Sequence, residues 1–430
     1  MEKLSTQPYK GTRDFYPEEM KLRNWFFGKI RETLELCAFD EYNGPMLESL
    51  ELYAAKSGDE LAREQTYNFT DRGGRDLAIR PEMTPSVARM VAAKMGELNF
   101  PLRWFSIPNM YRYERPQRGR LREFWQLNVD LFGCDTYEAD LDIIQSAIAI
   151  LCAFGADETM FKVHINNRRF FNDVIAAVCG TDAQGAKKVS KVVDRKNKIP
   201  READVKDMNE LGLSDAQIEK IDALYTMDVE EAAALCPTSV GSQELTSLFG
   251  ALRATGLDKY CVFDFGIIRG LDYYTGTVFE VFDEAPENNR AMFGGGRYDN
   301  LVGLFAKNAR VSGVGYGMGD VTLENFLFTH SLVPDLYKSD KKVLVARFDD
   351  VPLEKYIALT EKLRKEGIVT SLYTGIKKFG KQIDYAVRGK YSHVVIMGGS
   401  EVEKGIAKVK NLETREELEA PISEIASMLK

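Results

Sequence analysis

The chain has 430 residues, 44% hydrophobic and 28% charged, with a formal net charge of -8. That is an ordinary soluble globular composition with room for two or three domains at roughly 150 residues each. No apolar run approaches the ~20 residues a helix needs to cross a bilayer, so a membrane-spanning helix is not expected. The first residues, MEKLSTQPYK, lack the apolar core of a secretory signal, so a soluble, cytoplasmic protein is the expectation.

Six scattered cysteines (Cys37, Cys134, Cys152, Cys179, Cys236, Cys261) form no CxxC pair, and three histidines (His164, His330, His393) stand without a spaced partner. Neither a disulfide framework nor a metal site is suggested, and the histidines are assigned no chemistry. Charge is uneven: residues 340 to 430 hold 17 Lys and Arg against 14 Asp and Glu, while the rest of the chain is acidic. The C-terminal ninety or so residues could favour a polyanion or simply present a solvated surface.

In chain order, Pro17 to Cys37 reads as a helix, with Pro at its first position, Glu18 and Glu19 near the positive end of the dipole, and Leu22, Trp25, Phe26, Ile30 and Leu34 on one face. Residues 66 to 80 alternate around Gly73-Gly74 as an antiparallel hairpin. Thr84 before Pro85 reads as the N-cap of a helix reaching about Met95. Arg103 to Asp130 forms a second hairpin: strand, arginine-rich loop, strand. In its second strand Phe124, Gln126, Asn128 and Asp130 share one face, and Trp125, Leu127, Val129 and Leu131 the other. Residues from about 168 to 255 turn helical in spacing and look like an insertion. Strands return at 259–282, at MFGGGRYD and at VSGVGYGMG. A plausible linker covers 331–341, and from 342 to 430 strand and helix alternate as in βαβ units, implying a small α/β domain. Residues 1–330 therefore read as an antiparallel sheet with helices, an α+β unit rather than a parallel nucleotide fold.

Four stretches could carry chemistry. The segment RYERPQRGRLREFWQLNVD places Arg112, Arg115, Arg118, Arg120 and Arg122 around one turn, with only Glu114 and Glu123 to offset them. Guanidinium groups match phosphate oxygens bidentately, and neither a P-loop nor a dinucleotide glycine motif stands in the right context to do that work instead. The alternative is a solvated basic hairpin tip. In VSGVGYGMG, Gly313, Gly315, Gly317 and Gly319 alternate, so one strand face has no side chains. Such a face suits a flat ligand or the close packing of a helix. RGLDYYTGTVFEVF sets Arg269 in a turn ahead of Tyr273 and Tyr274, and IRPEMT pairs Glu82 with Thr84, an acid and a hydroxyl suited to an ammonium group.

Taken together, these stretches resemble the histidyl-tRNA synthetase family of class II aminoacyl-tRNA synthetases, over nearly the whole chain. GTRDFYPEE through GPMLE resembles the class's first motif, YRYERPQRGRLREFWQLNVDLFG the second, and GVGYGMGD the start of the third. RGLDYYTGTVFE resembles an element peculiar to the histidine enzymes, followed as there by GGGRYDNL. The resemblance implies a class II antiparallel sheet flanked by helices, a helical insertion and a C-terminal α/β anticodon-binding domain. It implies activation of L-histidine by ATP with Mg²⁺, then transfer to the 3′ end of tRNA(His), by a homodimer with Pro45 near the subunit interface.

By the same resemblance Arg112 and Arg269 grip the α-phosphate as the catalytic pair, Arg120 reaches the terminal phosphates, Glu114 meets the adenine, and Gly315, Gly317 and Gly319 border the nucleotide. Glu82 and Thr84 hold the α-amino group, and Gln126 lies near the amino and carboxylate end. Asp130 with Tyr274 reads the imidazole, and Tyr273 shapes the pocket. Two positions depart from the family pattern: Asp130 stands where Glu is usual, and Thr322 where the third motif has arginine, with Arg120, Arg122 or Arg310 as compensators. An alternative fitting the missing arginine is a synthetase-like regulatory subunit of histidine biosynthesis that does not charge tRNA. For tRNA, Tyr373, Lys377, Lys378 and Lys381 are candidates by composition.

Overall fold

A computed structural model describes residues 4–57, 63–117, 119–180, 185, 188–189, 192, 200–268, 274–288, 290–306, 310–336, 341–375 and 377–429. The chain divides into two compact units, Met1–Val333 and Pro334–Lys430.

The first unit opens with α1 (Pro17–Leu36), then β1 (Asp40–Glu41), β2 (Leu47–Ser49), α2 (Leu50–Ser57), β3 (Tyr67–Thr70), β4 (Asp76–Ile79) and α3 (Thr84–Lys94). The arginine-rich region is β5 (Leu102–Ser106), β6 (Asn109–Tyr111) and β7 (Glu123–Phe132). After it come α4 (Tyr137–Ala153) and β8 (Phe161–Asn167). The inserted helices are α5 (Arg168–Cys179), α6 (Arg201–Glu210), α7 (Asp215–Leu224), α8 (Val229–Ala234) and α9 (Val240–Ala254). The unit closes with β9 (Cys261–Phe263), β10 (Thr277–Asp283), β11 (Ala291–Tyr298), β12 (Gly313–Gly319) and α10 (Asp320–Thr329).

Sheet order is β1-β5-β7-β12-β11-β10-β8-β9, with β6 paired to β7. The six strands from β5 to β8 are antiparallel throughout, and β1 and β9 add parallel pairs at the two edges. The hairpin expected at 66–80 forms as β3 and β4. Asp71 Oδ1 accepts from the Gly73 and Arg75 amides at 2.8 and 2.9 Å, while Gly74 takes the positive φ of +77° that the turn requires. Thr84 is not an N-cap as expected: it is the first helical residue of α3, the cap position falls on Met83, and Thr84 caps nothing.

Strand parity decides which face meets the core. Leu127, Val129 and Leu131 of β7 and Val314, Tyr316 and Met318 of β12 pack against Phe26, Ile30 and Leu34 of α1 and the apolar face of α4. Each such side chain contributes roughly 1.5–3 kcal/mol on burial. The opposite parity of the same strands, Gln126, Asn128 and Asp130 beside Gly313, Gly315 and Gly317, is left facing away from that core, on the side where α3 and Tyr298 form a separate cluster.

The second unit carries β13 (Val343–Val345), α11 (Leu353–Lys365), β14 (Thr370–Leu372), α12 (Phe379–Arg388), β15 (His393–Ile396), α13 (Gly399–Lys404), β16 (Ile406–Asn411), β17 (Glu417–Pro421) and α14 (Ile425–Leu429). Its sheet runs β14-β13-β15-β16-β17. The first three strands are parallel, joined by the expected βαβ crossovers, and the last two turn antiparallel. Tyr373 is buried, so its ring is not available for stacking a base as composition suggested, whereas Lys377, Lys378 and Lys381 are exposed.

Candidate active site

The parity that sends Leu127, Val129 and Leu131 into the core turns Gln126, Asn128 and Asp130 toward a cavity of about 220 Å³. Antiparallel register sets Asp130 opposite Gly315 and Asn128 opposite Gly317, with Gly315 opposite Gly296 and Gly317 opposite Gly294 on the next strand. The glycines are there for the neighbours' sake. A Cβ on Gly315 would lie 2.4 Å from Asp130 Oδ1, and one on Gly317 would lie 2.3 Å from Gln126 Nε2. The bare strand face expected to seat a flat ligand is therefore partly crossed by the protein's own polar arms, which need that space to reach over β12. Gln126 Nε2 in turn donates to Asn128 Oδ1 at 2.7 Å.

Asp130 is buried. Its Oδ1 accepts a short hydrogen bond from the Tyr298 hydroxyl, while Oδ2 is buried with no hydrogen-bond partner among the described residues. Burial pushes this carboxyl up to about 7, with the Tyr298 bond pulling the other way. Leaving a buried acceptor unmade costs about 1–3 kcal/mol, so Oδ2 is a place where the fold carries an uncompensated polar atom. Tyr298 reaches Asp130 because its ring lies over Gly313, where a Cβ would come within 2.5 Å.

Arg112, in the loop after β6, also lines the cavity. Its Nε donates to the Pro81 carbonyl at 2.9 Å and its guanidinium sits 5.1 Å from the Phe124 ring centre, which fixes the plane. Its terminal nitrogens have no hydrogen bond among the described residues. Glu82 and Thr84, just before and at the start of α3, complete that wall. Thr84, not engaged in capping, presents a hydroxyl to the cavity.

The structure thus brings together Glu82, Thr84, Arg112, Gln126, Asp130, Tyr274, Gly315 and Gly317 in one wall. Glu114 and Arg120 lie in the hairpin loop, paired at 3.0 Å, and Gly319 ends β12 as the N-cap of α10. Arg269 and Tyr273 lie outside the described residues. The three histidines stand apart from the cavity wall, His164 and His330 each 2.8 Å from an aspartate. Tyr298 was missed by the reading of residues, although the period-2 pattern of GGGRYD puts it on the face of Gly294 and Gly296.

Thr322, in the first turn of α10, donates its hydroxyl to the Met292 carbonyl at 2.8 Å, and a Cβ on Gly119 would sit 3.9 Å from its methyl, so the arginine hairpin's tip rests beside it. Of the three arginines considered as compensators, Arg122 is engaged locally: it bonds the Tyr9 hydroxyl at 2.5 Å and the Glu114 carbonyl at 3.0 Å, against the rings of Tyr9 and Tyr113. Arg120 and Arg310 are exposed.

A family model for histidyl-tRNA synthetase matches residues 11–320, and one for an anticodon binding domain matches residues 342–430. A histidine–tRNA ligase of Leptospira biflexa is 42% identical over 433 residues, covering 100% of this chain and 98% of that protein. A crystal structure of histidyl-tRNA synthetase from Nostoc sp. PCC 7120 superposes with a TM-score of 0.83 at 24% identity, covering 99% of each chain. An ATP phosphoribosyltransferase regulatory subunit/histidyl-tRNA synthetase from Bacillus halodurans superposes at 0.75 with 26% identity, covering 91% of this chain and 98% of that one.

Proposed function

Because the chain belongs to the histidyl-tRNA synthetase family, we propose that it activates L-histidine with ATP to histidyl-adenylate and pyrophosphate, then transfers the histidyl group to the 3′ end of tRNA(His). The observation that carries this reading is that Asp130, whose Oδ2 is buried with no hydrogen-bond partner among the described residues, lines the same cavity as Arg112. A carboxylate acceptor and a guanidinium in one lining suit a molecule with an N–H donor at its head and a reacting carboxylate and phosphate at its tail.

In this reading the imidazole donates to Asp130 Oδ2 beside Tyr274, Tyr273 helps shape the same pocket, and the α-ammonium binds Glu82 and Thr84. The Gln126 amide, steadied by Asn128, meets the amino and carboxylate end. A substrate lacking the imidazole donor leaves Asp130 unpaired, which is how such a pocket discriminates. Asp130 has one methylene fewer than the glutamate usual here, so the imidazole reaches its carboxylate through a backbone shift or a bridging water.

Adenylation needs no general base, since the attacking carboxylate is already ionised. Catalysis is positioning plus stabilisation of charge that spreads over the α-phosphate oxygens. Arg112 meets those oxygens with its terminal nitrogens, opposed by Arg269. Glu114 meets the adenine, Gly315, Gly317 and Gly319 border the nucleotide, and Arg120 exchanges its pair with Glu114 for the terminal phosphates. The exchange is cheap, because an exposed ion pair is worth about 0–1 kcal/mol. No cluster of three or more acidic, histidine or cysteine side chains suited to a metal occurs among the described residues. Mg²⁺ would arrive on the phosphates of ATP and would screen their charge there.

The 342–430 domain takes the anticodon, the inserted helices the acceptor arm, and the enzyme works in the cytoplasm as a homodimer. The missing third-motif arginine favours the regulatory-subunit alternative; the full-length ligase relatives and the anticodon-binding domain favour the ligase. Histidine-dependent exchange of labelled pyrophosphate into ATP, run alongside tRNA charging, tests the proposal. Exchange with charging is expected; histidine binding without either would move the chain to the regulatory reading.

A further inference from the structure

Arg168 and Arg169, the first two residues of the inserted helices, hold the chain on both flanks of residues 269–273. Arg168 donates its amide to the Gly276 carbonyl at 2.8 Å and its Nη1 to the Ile268 carbonyl at 2.7 Å. Arg169 bridges two carboxylates, pairing through Nη1 with Glu244 of α9 and through Nη2 with Asp299 Oδ2 at 3.1 Å. The second Glu244 oxygen accepts from the Asn167 amide at 2.8 Å, and Asn167 is the N-cap of α5. Asp299 Oδ2 also accepts from the Thr275 hydroxyl at 2.6 Å, and the Thr275 amide donates to the Arg297 carbonyl at 2.7 Å.

Thr275 follows Tyr274, which lines the cavity and packs so closely on β11 that a Cβ on Gly296 would lie 3.1 Å from its ring. At the other end of the chain of contacts, α9 is locked to α5: a Cβ on Gly241 would come within 2.1 Å of the Phe170 amide nitrogen. No side chain fits between the two helices there, so they shift together or not at all, and Glu244 and Arg169 with them.

We propose that Glu244, Arg169, Asp299 and Thr275 form a positioning relay through which the inserted helices set Tyr274 in the amino-acid cavity, so that the insertion's placement tunes histidine affinity. The proposal rests on reading that cavity as the histidine site. An ionic chain suits the task better than apolar packing, because its bonds are directional and admit one geometry. It ends on a hydroxyl whose neighbour in sequence touches the substrate.

The test uses full-length protein and the KM for histidine in pyrophosphate exchange. Thr275→Val removes the hydroxyl at equal volume, Glu244→Gln weakens the far end, and the double variant closes a cycle. Each single change should raise the histidine KM about three- to tenfold, the double variant should fall well short of their product, and Thr275→Ser should restore the wild-type value. The KM for ATP and the thermal midpoint should hold. A double variant equal to the product of the singles, or an ATP KM that moves in parallel, overturns the relay while leaving the site reading intact. If Thr275→Val unfolds the protein, the Glu244→Gln and Asp299→Asn pair gives the same cycle. Wild-type protein without histidine-dependent exchange would remove the site reading, and the relay with it.

Discussion

The Tyr298 hydroxyl of β11 donates to Asp130 Oδ1 on β7, over Gly313 of the intervening β12, and leaves Oδ2 as the oxygen without a partner among the described residues. Tyr298→Phe should leave the fold intact, since the ring's packing on Phe132 and over Gly313 survives. It should raise the histidine KM by about tenfold or more, as expected when a buried acceptor loses its donor, with ATP KM within about twofold. Because this bond lowers the Asp130 carboxyl, its loss should also move any Asp130-dependent inflection in the pH profile upward. Unchanged histidine kinetics would mean that Asp130 orients itself without help.

Burial pushes the Asp130 carboxyl up to about 7 in the fold, whereas in the unfolded chain it ionises near 3.9. Between those values the native state binds the extra proton, so stability falls as pH rises through that window and is lowest above it. By linkage the penalty approaches about 4 kcal/mol at pH 8. Asp130→Asn should therefore be more stable than wild type at pH 8, with the difference shrinking toward pH 4. Urea midpoints across that range are the check; parallel curves would contradict the burial argument.

Gly317→Ala places a methyl where Gln126 Nε2 now lies, at 2.3 Å, and every close neighbour there belongs to that one side chain. Gln126 should swing away, breaking its bond to Asn128, with little change in melting temperature and a histidine KM raised by about tenfold, the worth of one or two hydrogen bonds. Unaltered histidine KM would show that Gln126 does not touch the substrate.

Asp320 is buried at the start of α10. It accepts from Arg13 and Arg23 at 2.7 Å each and from the Trp125 amide at 3.1 Å, while Arg23 lies 4.1 Å from the Phe15 ring and 4.3 Å from Trp125. Asp320→Ala leaves the buried Arg23 without its counter-ion and should destabilise by about 3–5 kcal/mol. Denaturant unfolding measures it, and a loss under about 1 kcal/mol would show that the aromatic cage alone holds Arg23.

Arg112→Ala and Arg269→Ala should each lower adenylate formation by ~10²-fold or more, the usual loss for one transition-state donor. Single-turnover measurements isolate that step. Near-wild-type rates in either variant would remove that residue from the α-phosphate.

Much of the site was legible in local pattern. Alternation in EFWQLNVDLF assigned Gln126, Asn128 and Asp130 to one face because side chains on a strand alternate by geometry alone, and glycine spacing in VSGVGYGMG marked the strand beside it. Helix α1 was readable from Pro17, its acidic first turn and its apolar stripe. Where the reading of residues failed, the exact boundary of an element or the burial of a side chain was the reason. Thr84 has the look of a cap, yet Met83 holds that position and leaves the hydroxyl for the cavity. Tyr373 has the composition of a base-stacking residue but is buried in its own domain's core.

Residue types and their period are properties of the chain, and they determined the face each polar arm would take. Which oxygen of Asp130 is used, why β12 needs its glycines, and how Arg169 reaches Thr275 from a helix a hundred residues earlier were decided by register between strands far apart in sequence. Local propensity carries no information about that pairing; it emerges only when long-range contacts close and bring the side chains within a hydrogen bond's reach.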